Sequence, residues 1–211
     1  SLRYRPNAPP PEESSLGYVI FSGSPFEFHH WEYRTTLKKE AAREADMAQV
    51  AASIVENLRG TVAQVAMEIP MAEMLARDGS GIMRLIDSVR EHIFPIVQQE
   101  AKELYKEGHR TRDGVLTRQN NEPMQNYILR RRRWWSLLQR MDETVQLTAT
   151  HLGDLLLDAA NITDMQRQLI LTTTVNSTDF DTVERALMVQ LRQIHLRDRG
   201  SAAGSGHGHG K

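Results

Sequence analysis

The residues with the most chemical potential are crowded into one short run. Arg130, Arg131, Arg132 and Arg133 are followed directly by Trp134 and Trp135. Four guanidiniums beside two indoles could hold RNA, with arginine on phosphate and indole stacked on bases. Consecutive helical residues point about 100° apart, so on a helix four adjacent arginines encircle the axis and form no single patch. Trp135 also falls in line with Met124, Ile128 and Leu138, the spacing of a core stripe. Structural or interface use of Arg131, Arg132, Arg133, Trp134 and Trp135 is therefore preferred over direct contact with RNA.

Just upstream, Glu122 and Arg130 stand eight residues apart, two helical turns and a little, which puts them on one side of a helix. Gln119 in the preceding turn could join them. Such a buried network would tie the turn to its helix, provided every polar member is satisfied. Other constellations are weaker. His29 and His30 are adjacent, so on a helix they diverge, whereas zinc-binding helices place ligands three or four residues apart. His151 and His195 are lone residues, read as packing or surface groups. No metal or cofactor is expected. There is no cysteine, hence no disulfide, thiol nucleophile or cysteine-ligated zinc. A glycine-rich phosphate loop, a nucleophile elbow and a zinc-protease helix are all absent, as is an Asp-Ser/Thr-Gly protease signature. No catalytic residue is assigned, and the chain is read as a non-enzyme.

The elements that must position these residues are helical. With 40% hydrophobic and 25% charged residues, the composition is that of a globular protein. No apolar run approaches the ~18 residues that span a bilayer, so no membrane segment is expected. The net charge of −1 makes the whole chain no electrostatic glove for nucleic acid. Between His109 and Glu143, however, eight arginines oppose Asp113, Glu122, Asp142 and Glu143, a local +4 with histidine neutral.

Pro6, Pro9, Pro10 and Pro11 mark residues 1–17 as a flexible lead-in. Ser24-Pro25-Phe26-Glu27 has the spacing of a capping box, opening a helix that buries Phe28 and Trp31. Apolar stripes follow through Met47–Leu58, Val62–Ile69 and Ile82–Ile93, and Pro95 is expected to open a further helix. The polar run 109–117, with Gly108 before it and Gly114 within it as breakers, reads as a linker. The longest helix is expected from Glu122 to about Glu143. A short helix carries Leu152, Leu155, Leu156 and Ala159, Thr163-x-x-Gln166 caps another, and a last one starts near Asp179. The architecture expected is all-α, with about five helices over 18–108, a linker, and about four over 118–199. Residues 200–211 form a flexible tail.

The segment Arg118-Gln119-Asn120-Asn121-Glu122-Pro123-Met124-Gln125-Asn126-Tyr127-Ile128-Leu129-Arg130 resembles the major homology region of retroviral and LTR-retrotransposon capsids. Gln119, Glu122, Tyr127 and Arg130 occupy the family's Gln, Glu, aromatic and Arg places. Asn120 stands where glycine is usual, and the Gln-to-Glu gap is one residue short, so a differently built turn is expected. Phe21-x-Gly23-x-Pro25-x5-Trp31 and Leu58-Arg59-Gly60-Thr61-Val62-Ala63 are similar to the opening elements of retrotransposon Gag domains. The resemblance spans roughly residues 18–199. It implies a two-domain capsid protein whose N-terminal domains form hexamers and pentamers and whose C-terminal domains join neighbouring rings. The partner it implies is the chain itself, in virus-like particles in the cytoplasm. Genome packaging in the family falls to a downstream basic or zinc-knuckle region, a motif this chain does not contain, so its own RNA binding is expected to be weak. The alternative is a monomeric helical RNA-binding or regulatory module derived from Gag.

Overall fold

A computed structural model of the chain describes residues 4–6 and 8–203, with side chains through 198. The protein is all-α: among the described residues there are ten α-helices, one 3-10 turn, two isolated β-bridges and no strand. The chain divides into two compact units, one of residues 8–101 and one running from Lys102 onward together with residues 4–6.

The first unit holds α1 (Phe28–Ala41), a 3-10 turn (Glu44–Asp46), α2 (Met47–Glu56), α3 (Gly60–Met67), α4 (Met71–Met74) and most of α5 (Ser80–Gly108). Its core is the set of apolar stripes read from the sequence, with Ala51, Ile54, Val62, Ile82, Leu85, Ile86 and Val89 all buried. Each of these valine, leucine and isoleucine side chains contributes about 1.5–3 kcal/mol of apolar transfer. Phe21 and Trp31 stack with ring centroids 5.0 Å apart. Phe21 also joins the two sequence elements at this end. Its N–H donates to the Asn57 carbonyl at 3.0 Å, and its own carbonyl accepts from the Arg59 N–H at 2.8 Å. The chain leaves both sides of this bridge through left-handed glycines, Gly23 (φ 90°) and Gly60 (φ 63°), where a side chain would be strained.

Three expectations are corrected in this unit. The Ser24–Glu27 capping box does not form, because the Glu27 N–H is taken by the Ser24 carbonyl in a backbone turn (3.1 Å) and α1 starts only at Phe28. Pro95 opens no new helix; it lies within α5. Both Pro95 and Glu91, whose carbonyl loses its helical donor, are exposed, so water can replace the missing bond. The stripe Ile82, Leu85, Ile86, Val89, Ile93, Ala101, Leu104 keeps its phase straight past the proline. The lead-in is also less free than its composition suggests. Glu13 bridges Val19, Arg34 reaches Glu13 (3.2 Å) and the Gly17 carbonyl (3.3 Å), and Lys38 reaches the Leu16 carbonyl (3.0 Å). Two basic residues four apart on α1 thus hold the turn at 14–18.

The second unit holds the last turns of α5, then α6 (Met124–Met141), α7 (Ala149–Asp158), α8 (Asp164–Thr173), α9 (Phe180–Gln190) and α10 (Ile194–Ala203). Met124, Tyr127, Ile128, Leu156, Ile170, Val183 and Leu187 form its core. Helix starts are capped by side chains: Thr148 for α7, the Thr163/Gln166 capping box for α8, and Asp179 for α9. Gly153 of α7 lies so close to the Thr178 carbonyl that a Cβ there would approach it to 1.9 Å.

The run 109–117 is folded into this unit, since Leu116 and Thr117 are buried, and the division between units falls earlier, inside α5. The expected helix from Glu122 starts at Met124, with Pro123 as its N-cap residue. The last expected helix is two, broken after Leu191 although no Gly or Pro marks the break. Leu191 and Ile194 are both buried, and the Ile194 N–H closes back on the Leu191 carbonyl at 3.1 Å. α10 runs to Ala203, into what the sequence marks as tail; the remaining tail lies outside the described residues.

Candidate functional site

The concentration of buried charge in the second unit is built on the turn before α6 and on α6 itself. Pro123 bars helix before it, and the turn at 119–122 is closed by the Glu122 N–H donating to the Gln119 carbonyl (3.1 Å). Asn121, and not Asn120, takes the left-handed conformation (φ 64°) that glycine or asparagine tolerates.

This turn brings Glu122 against Arg130. Nε and Nη2 of Arg130 donate to the two carboxylate oxygens at 2.7 and 2.6 Å, a bidentate pair with side-chain exposures of 4% and 12%. Two further N–H groups of Arg130 donate to the Val115 and Thr117 carbonyls. Glu122 Oε2 also accepts the Gln119 N–H at 2.9 Å. The Gln119 side chain turns the other way, its Nε2 donating to the carbonyls of Thr117 (2.8 Å) and Gly114 (3.2 Å). Tyr127 is fully buried and donates to the Leu156 carbonyl at 2.7 Å. Burial pushes its phenol well above the ordinary tyrosine range, so it stays neutral. Gln119, Glu122 and Arg130 therefore meet in one network, whereas Tyr127 anchors the same helix separately on α7. With both oxygens of Glu122 committed to donors, the arrangement fastens the 115–119 segment to α6.

Sequence reasoning missed Arg118. It is 2% exposed and reaches the carbonyls of Ala160 (2.9 Å), Glu122 (3.0 Å) and Asn161 (3.3 Å) and the carboxylate of Asp198 (2.9 Å). Burial raises the proton affinity of Asp198, but Arg118 and the Asn121 N–H outweigh it and hold the carboxyl below its usual range. Nothing in the polar run around Arg118 distinguishes it from its exposed neighbours Arg110 and Arg112.

The arginine–tryptophan run is placed differently from expectation. Trp134, and not Trp135, lies in the core stripe, with Met124, Tyr127, Arg131 and Leu138. Its Nε1–H donates to the Leu104 carbonyl at 2.8 Å, and its ring lies flat on Gly108, where a Cβ would collide at 1.9 Å. Arg131 is buried too, stacked over that indole at 4.8 Å, with Nη1 donating to the Gly108 carbonyl and Nη2 lacking a partner. Burial lowers its proton affinity. Met124, Ile128 and Leu138 of the expected stripe are buried, and only its tryptophan differs, because the buried Arg131 occupies a stripe position that the hydrophobic pattern could not credit to an arginine. Arg132 pairs with Asp181 and Glu184 of α9. Arg133 is exposed, and Trp135 is half-buried. Arg131 and Trp134 are therefore not on the surface as an interface or a stacking platform.

The histidines form one unexpected contact. His109 Nδ1 lies 2.9 Å from the Tyr105 carbonyl, so it carries the proton, and His109 Nε2 then accepts from His151 Nε2 at 3.2 Å. Among the described residues no group of three or more His, Asp or Glu side chains could hold a metal, and no helix is long and apolar enough to cross a membrane. No family model, curated protein or solved structure matches this chain.

Proposed function

We propose that this chain is a Gag-type capsid protein, from an LTR retrotransposon or a domesticated derivative, that self-assembles into a closed shell. The observation that carries the reading is the bidentate Glu122–Arg130 pair tied to the Gln119 turn at the start of α6. This is the structural role that the major-homology-like segment implies. The bridge between the Phe21–Gly23 turn and the Leu58–Gly60 element supports it from the other unit, because the two Gag-like motifs there are partners. Shells grow from repeated, individually weak symmetric contacts, so the chain acts by assembly in cytoplasmic particles, its partner being further copies of itself in hexamers and pentamers.

One observation favours the second reading, a monomeric RNA-binding or regulatory module. Arg110, Arg112, Arg133 and Arg140 are all exposed within the basic stretch of the second unit. Negative-stain microscopy with light scattering, across protein concentration and salt, separates the two. Capsid function predicts closed particles or tubes that grow with concentration. A monomer under every condition, with RNA affinity falling steeply as salt rises, would replace it with the second reading.

A further inference from the structure

His109 follows the last residue of α5 and His151 stands in the first turn of α7, and both belong to the second unit. They are 42 positions apart in the chain, yet their Nε2 atoms lie 3.2 Å from each other at the protein surface. That is close to the separation of two imidazoles on one tetrahedral ion, because nitrogens about 2.0–2.1 Å from zinc lie about 3.3 Å from each other. The surroundings of His109 are those of a metal ligand. Its Nδ1–H donates to the Tyr105 carbonyl at 2.9 Å, which fixes the tautomer and frees the Nε2 lone pair. The Tyr105 ring packs on the imidazole, with centroids 4.2 Å apart, and restrains its rotation. His151 is anchored through its backbone, where its N–H donates to the capping Thr148 hydroxyl at 3.1 Å, while its side chain is exposed and can turn.

We propose that His109 and His151 form a two-imidazole site for a divalent transition metal, with Zn²⁺ as the ion whose geometry fits. The rings face each other nearly end to end, their centroids 5.4 Å apart. On a shared ion the centroids lie about 5 Å apart, so a tilt of the exposed His151 ring brings both lone pairs to one point. On binding, His151 gives up its Nε2 proton and takes the Nδ1–H tautomer, so both ligands are neutral imidazoles. Among the described residues no third His, Asp or Glu completes the set, so water fills the other two positions. The bound ion clips the end of α5 to the start of α7 and closes a long stretch of chain. The site stands whether or not the chain assembles.

Histidine side-chain ¹H–¹⁵N correlation spectra of the full chain test it. They resolve the eight histidines one by one, including the adjacent His29 and His30 and the tail residues His207 and His209, which compete for the ion. With Zn²⁺ added stepwise, the ring nitrogens of His109 and His151 should shift together along one saturation curve, ahead of the other six. His151→Gln should weaken the His109 response by about tenfold or more, and His109→Gln should do the same to His151. An otherwise unchanged amide spectrum identifies each variant as folded. Separate curves for the two histidines in the parent chain overturn the site, as does a His109 response within about twofold of the parent in His151→Gln. Zinc uptake confined to the other six histidines overturns it too, as an adventitious ion only.

Discussion

At the scale of single residues, the second unit contrasts a buried charge that is matched with one that is not. Arg130 has a bidentate carboxylate and two carbonyls, so removing its partner would leave a buried cation uncompensated. Glu122→Ala is expected to cost about 3–5 kcal/mol in urea unfolding of the second unit. A loss below about 1 kcal/mol would mean that the pair is dispensable. Arg131 has no carboxylate and one unpartnered nitrogen, so Arg131→Met should leave stability within about 1 kcal/mol of the parent or raise it, read in the same experiment. The Glu122–Arg130 pairing was legible because the two lie close in sequence, although Glu122 meets Arg130 from the turn before α6 and not from the helix itself. Arg118 was not legible, since its partners Ala160, Asn161 and Asp198 lie 42 or more residues away and no local pattern encodes them. Trp134 was misplaced for a related reason: a buried arginine in the stripe breaks the rule that stripes are apolar.

At the scale of elements, α10 and α7 are held by contacts of different kinds, and each predicts a different failure. α10 is tied to the turn before α6 through Asp198, which meets Arg118 and the Asn121 N–H. The Asp198 carboxyl is held below its ordinary range when folded, so its contribution is complete above about pH 4 and is lost as pH falls through the folded value. The Asn121 amide resonance should therefore titrate at a pH below the ordinary aspartate value, and Asp198→Asn should abolish that transition. Titration at or above the ordinary value would refute the tether. α7 depends instead on backbone approach. Gly153→Ala forces a methyl into the Thr178 carbonyl, which no side-chain rotation relieves, and should destabilise by about 1–3 kcal/mol or more in thermal unfolding. Helix existence was readable from the stripes almost throughout, because burial imposes the period. Helix ends were read less well. A solvent-side proline in α5 does not interrupt a stripe, and the break after Leu191 comes from two buried side chains, not from a breaker residue.

At the scale of the whole molecule, a net charge of −1 gives copies little mutual repulsion, so the capsid reading predicts particle formation that does not need extreme salt. Static light scattering against concentration at about 0.15 M salt checks this, and an invariant monomer mass would count against it. The all-α class was legible from composition and period alone. The division of the chain was not, because a 29-residue helix runs through it with no change of pattern. The three tryptophans give this division a spectroscopic handle. Trp31 is sealed in the first unit beneath Phe21, while Trp134, sealed under a guanidinium, and its neighbour Trp135 lie in the second. In Trp31→Phe all indole emission comes from the second unit, and in Trp134→Phe/Trp135→Phe it all comes from the first. Denaturant titrations of the two variants thus read each half of the chain in its own colour. Coincident curves would report one cooperative melt, and separated curves would report two independent ones.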